Sequence, residues 1–156
     1  MQVLASLDRD ANRQTIQSNE AFKLESTWTF VAGTTGAIAA HTLFTVTGNC
    51  LVTVFGVVDT TLTSAGAPTI EVGVTGNTAA LIAQSLAASL ADSEVWVDGT
   101  LTRVGVGAVP AMQVLNDGND IILTVATATV TAGAIDFYCL YRPLSSDAAV
   151  SVTTPA

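Results

Sequence analysis

The sequence predicts an all-β fold, a β-sandwich or jelly-roll-like domain with one short helix and an extended N-terminal arm. From Thr27 onward the chain is written in short β-branched and aromatic runs separated by Gly, Asn, Asp and Pro, the pattern of strands joined by tight turns. The breaks recur at the spacing of a two-sheet sandwich. At 156 residues the chain suits one domain with an adequate core, since domains commonly run about 100–150 residues.

Residues 1–26, MQVLASLDRDANRQTIQSNEAFKLES, hold Arg9, Arg13 and Lys23, three of the five basic residues, and lack the Thr/Val/Gly texture that follows. Their apolar residues Val3, Leu4, Leu7, Ile16, Phe22 and Leu24 are too sparse for a continuous helical stripe. The segment therefore reads as an arm that orders against something else. Its opening lacks the basic start and apolar run of a signal peptide, which makes cytoplasmic synthesis the expectation.

The β domain is expected over 27–145, with strands near 27–31, 41–47, 50–59, 69–74, 94–97, 101–106, 120–130 and 134–142. Gly33-Thr34-Thr35-Gly36, Gly48-Asn49, Ser64-Ala65-Gly66-Ala67-Pro68, Asp98-Gly99 and Asn116-Asp117-Gly118-Asn119 supply the turns, because they offer positive-φ or Asx-turn residues. Residues 77–93, NTAALIAQSLAASLADS, are rich in Ala and Leu, contain no Gly or Pro and begin with Asn at an N-cap position. They predict the short helix, covering one end or edge of the sandwich. Residues 146–156 are small and polar and read as a flexible C-terminal tail.

Two strands differ in their outward faces. Along 134–142, Ile135, Phe137, Cys139 and Tyr141 alternate with Asp136, Tyr138, Leu140 and Arg142, as in a strand with one face exposed. Along 50–58, Leu51, Thr53, Phe55 and Val57 alternate with Cys50, Val52, Val54 and Val58, so both faces are apolar. Burial is expected on both, the second under the helix, the arm or a neighbouring subunit.

Hydrophobic residues make up 49% of the chain and charged residues 12%, against a usual charged share of about 25%. No apolar run approaches the roughly 18 residues of a membrane span, so protein–protein assembly, not a membrane, is expected to cover the surplus. A net charge of −8 opposes binding to a phosphate backbone, and no nucleic-acid partner is expected. Cys50 and Cys139 lie inside predicted strands without CxxC spacing and read as buried free thiols.

No residue cluster announces a reaction, and no catalytic residue, cofactor or metal is expected. His41 is the one histidine, so no two-His metal site can be built and any Ser-His-Asp triad would have to pass through it; no GxSxG elbow accompanies it, and it reads as capping a strand end or facing a subunit contact. NDGND at 116–120 lacks the remaining ligands of a calcium loop and reads as an Asp-Gly hairpin turn. Asp92, Glu94 and Asp98 flank Trp96 as solvated acids of strand ends. GVTGNT (73–78) and RVGVGAV (103–109) lack the Lys and Gly spacing of phosphate loops and read as turn or sheet glycines. Trp28 and Phe30 lack adjacent bases and read as packing residues.

The series GAIAAHTLFTVTGN (36–49), LTSAGAPTIEVGVTGNTAALIAQ (62–84), SEVWVDGT (93–100) and NDIILTVATATVTAGAIDFYCLYRPLS (119–145) resembles small structural proteins encoded among the head-morphogenesis genes of tailed bacteriophages. The resemblance spans about residues 30–147 and consists of linked motifs, not a catalytic signature. It implies a virion component on the capsid exterior, a homotrimeric decoration (cement) protein whose partner is the major capsid protein at pseudo-threefold positions. The expected contact residues are Leu4, Leu7, Arg9, Arg13, Ile16, Phe22 and Lys23 of the arm. Another virion sandwich, of tail, head fibre or head–tail joint, is the near alternative. A receptor- or glycan-binding module using Trp96, Tyr138 and Tyr141 is the distant one.

Overall fold

The structure, a computed structural model, describes residues 21–97, 101–102 and 110–153. Its strands are β1 (Phe22–Thr29), β2 (Ala39–Thr47), β3 (Cys50–Ser64), β4 (Thr69–Val74), β5 (Asn77–Leu86), β6 (Val95–Trp96), β7 (Leu101–Thr102), β8 (Met112–Leu115), β9 (Ile121–Ala126), β10 (Val130–Pro143) and β11 (Ala149–Val152). They form two antiparallel sheets, the β-sandwich that the turn spacing predicts. The front sheet runs β1-β10-β3-β6-β7, with β8 also paired to β3, and the back sheet runs β11-β2-β9-β4-β5.

Alternation along each strand builds the core between the sheets. The front sheet contributes Trp28, Cys50, Val52, Val54, Val58, Trp96, Ile135, Phe137 and Cys139, and the back sheet Phe44, Val46, Ile70, Val72, Ile82, Ile121, Leu123 and Val125, all fully or almost fully buried. Each large side chain so buried contributes about 1.5–3 kcal/mol before ordering costs are subtracted.

The helix expected over 77–93 is absent: Asn77–Leu86 is strand β5, followed by a single 3-10 turn at Ala87–Ser89. Helix propensities differ by only tenths of a kcal/mol per residue, and tertiary context overrides them. As a strand this segment pairs with β4 through irregular register and buries both Leu81 and Ile82. Gly73 permits the close return, since a Cβ there would collide with the backbone at Asn77 and Thr78. The segment does cover a sheet edge, but by backbone pairing.

Three further boundaries move. The strand expected over 120–130 is cut at Thr127, whose φ of 72° ends β9 and lets the chain cross to the front sheet as β10. Residues 149–152, expected inside a loose tail, form β11 on the edge of β2, with Val150 buried and Thr153 N–H donating to Leu43 O at 3.0 Å. Residues 22–26, expected in the arm, belong to β1, paired residue by residue with β10. The open edges of β2 and β10 carry backbone groups that need partners, which is why sparse apolar sequence settles there.

Candidate functional site

The outward side of the front sheet is the most distinctive surface of the described residues. The register aligns its outward positions in rows: Lys23, Leu140, Thr53 and Met112; Arg142, Leu51 and Val114; Glu25, Tyr138 and Phe55; Thr27, Asp136, Val57 and Val95. Met112 is 65% exposed, Val114 58% and Leu140 37%. Leu51, Phe55, Val57 and Tyr138 are half-buried. Of the two faces of strand 50–58, Cys50, Val52, Val54 and Val58 are core, whereas among the described residues Leu51, Thr53, Phe55 and Val57 form a partly open apolar floor, and the helix expected as one of its possible covers is absent.

Polar groups organise one side of this floor. Phe55 and Tyr138 stack with centroids 5.1 Å apart and planes 17° apart. Lys23 Nζ lies 5.3 Å from the Tyr138 ring centroid and pairs with Glu25 Oε2 at 3.1 Å. Thr27 Oγ1 donates to Asp136 Oδ1 at 2.6 Å, and Tyr138 OH donates to Glu25 Oε1 at 3.5 Å. Partial burial, then Glu25 and Asp136, raise the Tyr138 phenol above its ordinary pKa, so it stays protonated. Both bases of the described residues, Lys23 and Arg142, sit on this face. The outward side of the back sheet is different, with Thr42, Thr69, Glu71, Gln84 and Thr124 among its positions.

Of the arm residues, Leu4, Leu7, Arg9, Arg13 and Ile16 lie outside the described residues. Phe22 and Lys23 are neighbours on β1 and point to opposite sides of the sheet. Phe22, 43% exposed, stacks on Tyr141 at 5.2 Å at the sandwich mouth, while Lys23 joins the outward face. They do not form one contact patch. Sequence reasoning missed Met112 and Val114 because AMQVLN is too short to announce a strand. Alternation of Met112 and Val114 around Gln113 is the signal that was there.

The remaining candidates are engaged structurally. His41 Nε2 is 3.2 Å from Ala37 O, and its ring packs 5.3 Å from Trp28. Trp96 is fully buried, donating Nε1–H to Ser85 Oγ at 2.9 Å, and is therefore unavailable to a glycan. Glu94 accepts from Ala91 N–H at 2.9 Å, and Asp98 lies outside the described residues. In NDGND, Asp117 accepts from Gly48 N–H at 3.0 Å and Asp120 from Val46 N–H at 2.9 Å. This turn crosses from β8 in the front sheet to β9 in the back sheet, so it is not a hairpin; its acids tie the crossing to the β2–β3 turn.

Cys50 and Cys139 are buried free thiols. Cys50 lies opposite Pro143 and Cys139 opposite Val54, four residues apart along β10, which exceeds disulfide reach. Burial, with Cys50 second, pushes the Cys139 thiol up to about 12, and burial with Asp147 raises Cys50. Among the described residues, no three His, Cys, Asp or Glu side chains gather as a metal site.

No protein-family model and no curated protein matches this chain. Among solved structures, a chain of the cyanophage Pam1 capsid asymmetric unit is similar, at 17% identity over 79% of this chain and 84% of that chain, with a TM-score of 0.46. At that identity and overlap the likeness transfers no residue role to this protein.

Proposed function

We propose that this chain is a structural virion protein of a tailed bacteriophage, a non-catalytic capsid decoration protein that binds the outer surface of the head lattice and stabilises it. The observation that carries the reading is the outward face of the front sheet, where Met112, Val114 and Leu140 stand exposed beside Lys23 and Arg142. An apolar floor whose rim carries Lys23 and Arg142 alongside Glu25 and Asp136 fits a protein partner with an apolar patch and complementary charges around it. The resemblance of residues 30–147 to small phage head-gene proteins supports the major capsid protein as that partner. Residues 1–20, with Leu4, Leu7, Arg9, Arg13 and Ile16, extend the contact, and a homotrimer presents three such faces around one lattice axis.

A carbohydrate-binding reading loses its aromatic platform. Trp96 is in the core, and the Tyr138 ring has Phe55 on one side and Lys23 on another. The test is cosedimentation of the purified chain with heads that lack it. Saturable binding that raises the melting temperature of the heads is the expected result; no binding to either compact or expanded heads refutes decoration.

A further inference from the structure

We infer that in solution two copies of this chain pair face to face through the outward sides of their front sheets, about a two-fold axis that crosses the strands, so that Arg142 of each copy meets Asp136 of the other. One face cannot hold both a second copy and a head lattice, so the pairing describes the free chain and stands whether or not that chain decorates heads. The first argument is the order of charge along the strands. Of the four outward rows, Arg142 stands in the first and Lys23 in the second, Glu25 in the third and Asp136 in the fourth. Bases thus occupy one end of the face and acids the other. Lys23 already pairs with Glu25, whereas among the described residues Arg142 has no acid, and Asp136 no base, at ion-pair distance. Asp136 Oδ1 accepts from Thr27, which leaves its other oxygen for a cation.

The second argument is that one symmetry operation satisfies every row. A two-fold axis across the strands, passing between the Lys23 row and the Glu25 row, reverses strand direction in the other copy and keeps each strand over its own counterpart. Arg142 then lies over Asp136 along β10, and Lys23 over Glu25 along β1, so each copy supplies both halves of every charge pair, as an isologous contact requires. Apolar positions follow the same exchange: Leu51 lies over Val57 along β3, and Val114 of β8 over Val95 of β6. An axis along the strands would instead lay the charges of β1 and β10 over apolar positions of β8 and β3 and leave them unpaired, which is costly. Complementary charge therefore selects the antiparallel arrangement, since it fixes register more than it adds affinity.

The third argument is area. Four strands at roughly 4.8 Å each and six residue steps at roughly 3.4 Å give a footprint of about 400 Å² on each copy. About 800 Å² over both copies is below the roughly 1,200 Å² at which stable interfaces begin. The dimer is accordingly weak and reversible, with a dissociation constant of about 1 μM or more. A contact of that strength leaves the same face free for a tighter partner.

Sedimentation equilibrium of the full chain up to about 1 mM reads the pairing. Arg142→Glu and Asp136→Arg should each weaken self-association at least about tenfold, because every reversal acts twice in a two-fold dimer. An equimolar mixture of the two variants should restore it: the new acid of one faces the new base of the other, and the native Arg142 and Asp136 that remain also face each other. Both reversals on one chain should restore it as well. A second measurement needs no variant. Leu51 and Val57 share the outward side of β3 six residues apart, about 20 Å along a strand, so a nuclear Overhauser contact between their methyl groups arises only between copies and should appear as concentration rises. A chain that stays monomeric throughout overturns the inference. So does association that survives both single reversals, a mixture of the folded variants that fails to restore pairing, or an associated chain without the Leu51–Val57 contact.

Discussion

Replacing Ser85 by Ala examines the segment whose sequence pattern and structure disagree. Ser85 is 7% exposed in β5, and its Oγ accepts the indole N–H of fully buried Trp96 at 2.9 Å. Removing the hydroxyl strands that N–H in the core, which costs about 1–3 kcal/mol. In a chain of this size each kcal/mol moves the melting temperature by about 2–4 °C. The same change in a Trp96→Phe background strands no donor and should cost less than about 0.5 kcal/mol, leaving a coupling of about 1–2 kcal/mol in the double-mutant cycle. Urea unfolding followed by far-UV circular dichroism gives all four stabilities. Equal costs in the two backgrounds would refute the bond, and with it the packing of β5 across the core from β6. A helix over 77–93 gives no reason for those two residues to be coupled.

The Cys139 thiol, raised from 9.0 to about 12 by burial, makes stability fall in base. The folded state holds the proton more tightly than the unfolded state, so the contribution is whole below about pH 9 and is lost as pH rises toward 12; roughly three units correspond to at most about 4 kcal/mol. Cys139→Ala should flatten the fall in urea midpoint over that window, and an unchanged slope contradicts the assignment. Gly133→Ala should cost more than Gly33→Ala, although both have positive φ. A Cβ at Gly133 meets Leu62 Cα at 2.8 Å and Thr61 O at 2.9 Å, and one at Gly33 meets nothing within 4 Å, so Gly33→Ala is expected to lose about 1–2 kcal/mol and Gly133→Ala clearly more by urea titration. Val114→Lys, at a position 58% exposed, should change stability by no more than about 0.5 kcal/mol yet weaken cosedimentation with heads; full retention of binding removes β8 from the contact.

The parts of the fold legible in the sequence are those where side-chain alternation and burial agree. Ile135, Phe137, Cys139 and Tyr141 announce the inward side of β10, and Cys50, Val52, Val54 and Val58 that of β3. The same alternation exposes Leu51, Phe55 and Val57 as surplus apolar surface, although it does not show that Met112 and Val114 extend that surface by pairing across β3. What was illegible depends on pairing partners distant in sequence. Ala-rich β5 follows the needs of the β4 edge, and Ala149–Val152 follows the edge of β2. The break at Thr127 carries no Gly, Pro or Asn, so nothing in VATATV marks the residue that takes positive φ. The hydrogen bonds of His41, Asp117 and Asp120 to Ala37, Gly48 and Val46 become visible only once the turns are folded.

The central claim, attachment to a head lattice through the outward face of the front sheet, is tested most directly by a cryo-EM map of the virion that encodes this chain. The account predicts β-sandwich density on the outer surface of the head, with β3, β8 and β10 turned toward the major capsid protein and Met112, Val114 and Leu140 within contact distance of it. Head density without such a sandwich, or a sandwich whose front sheet faces solvent while another surface meets the lattice, would contradict it.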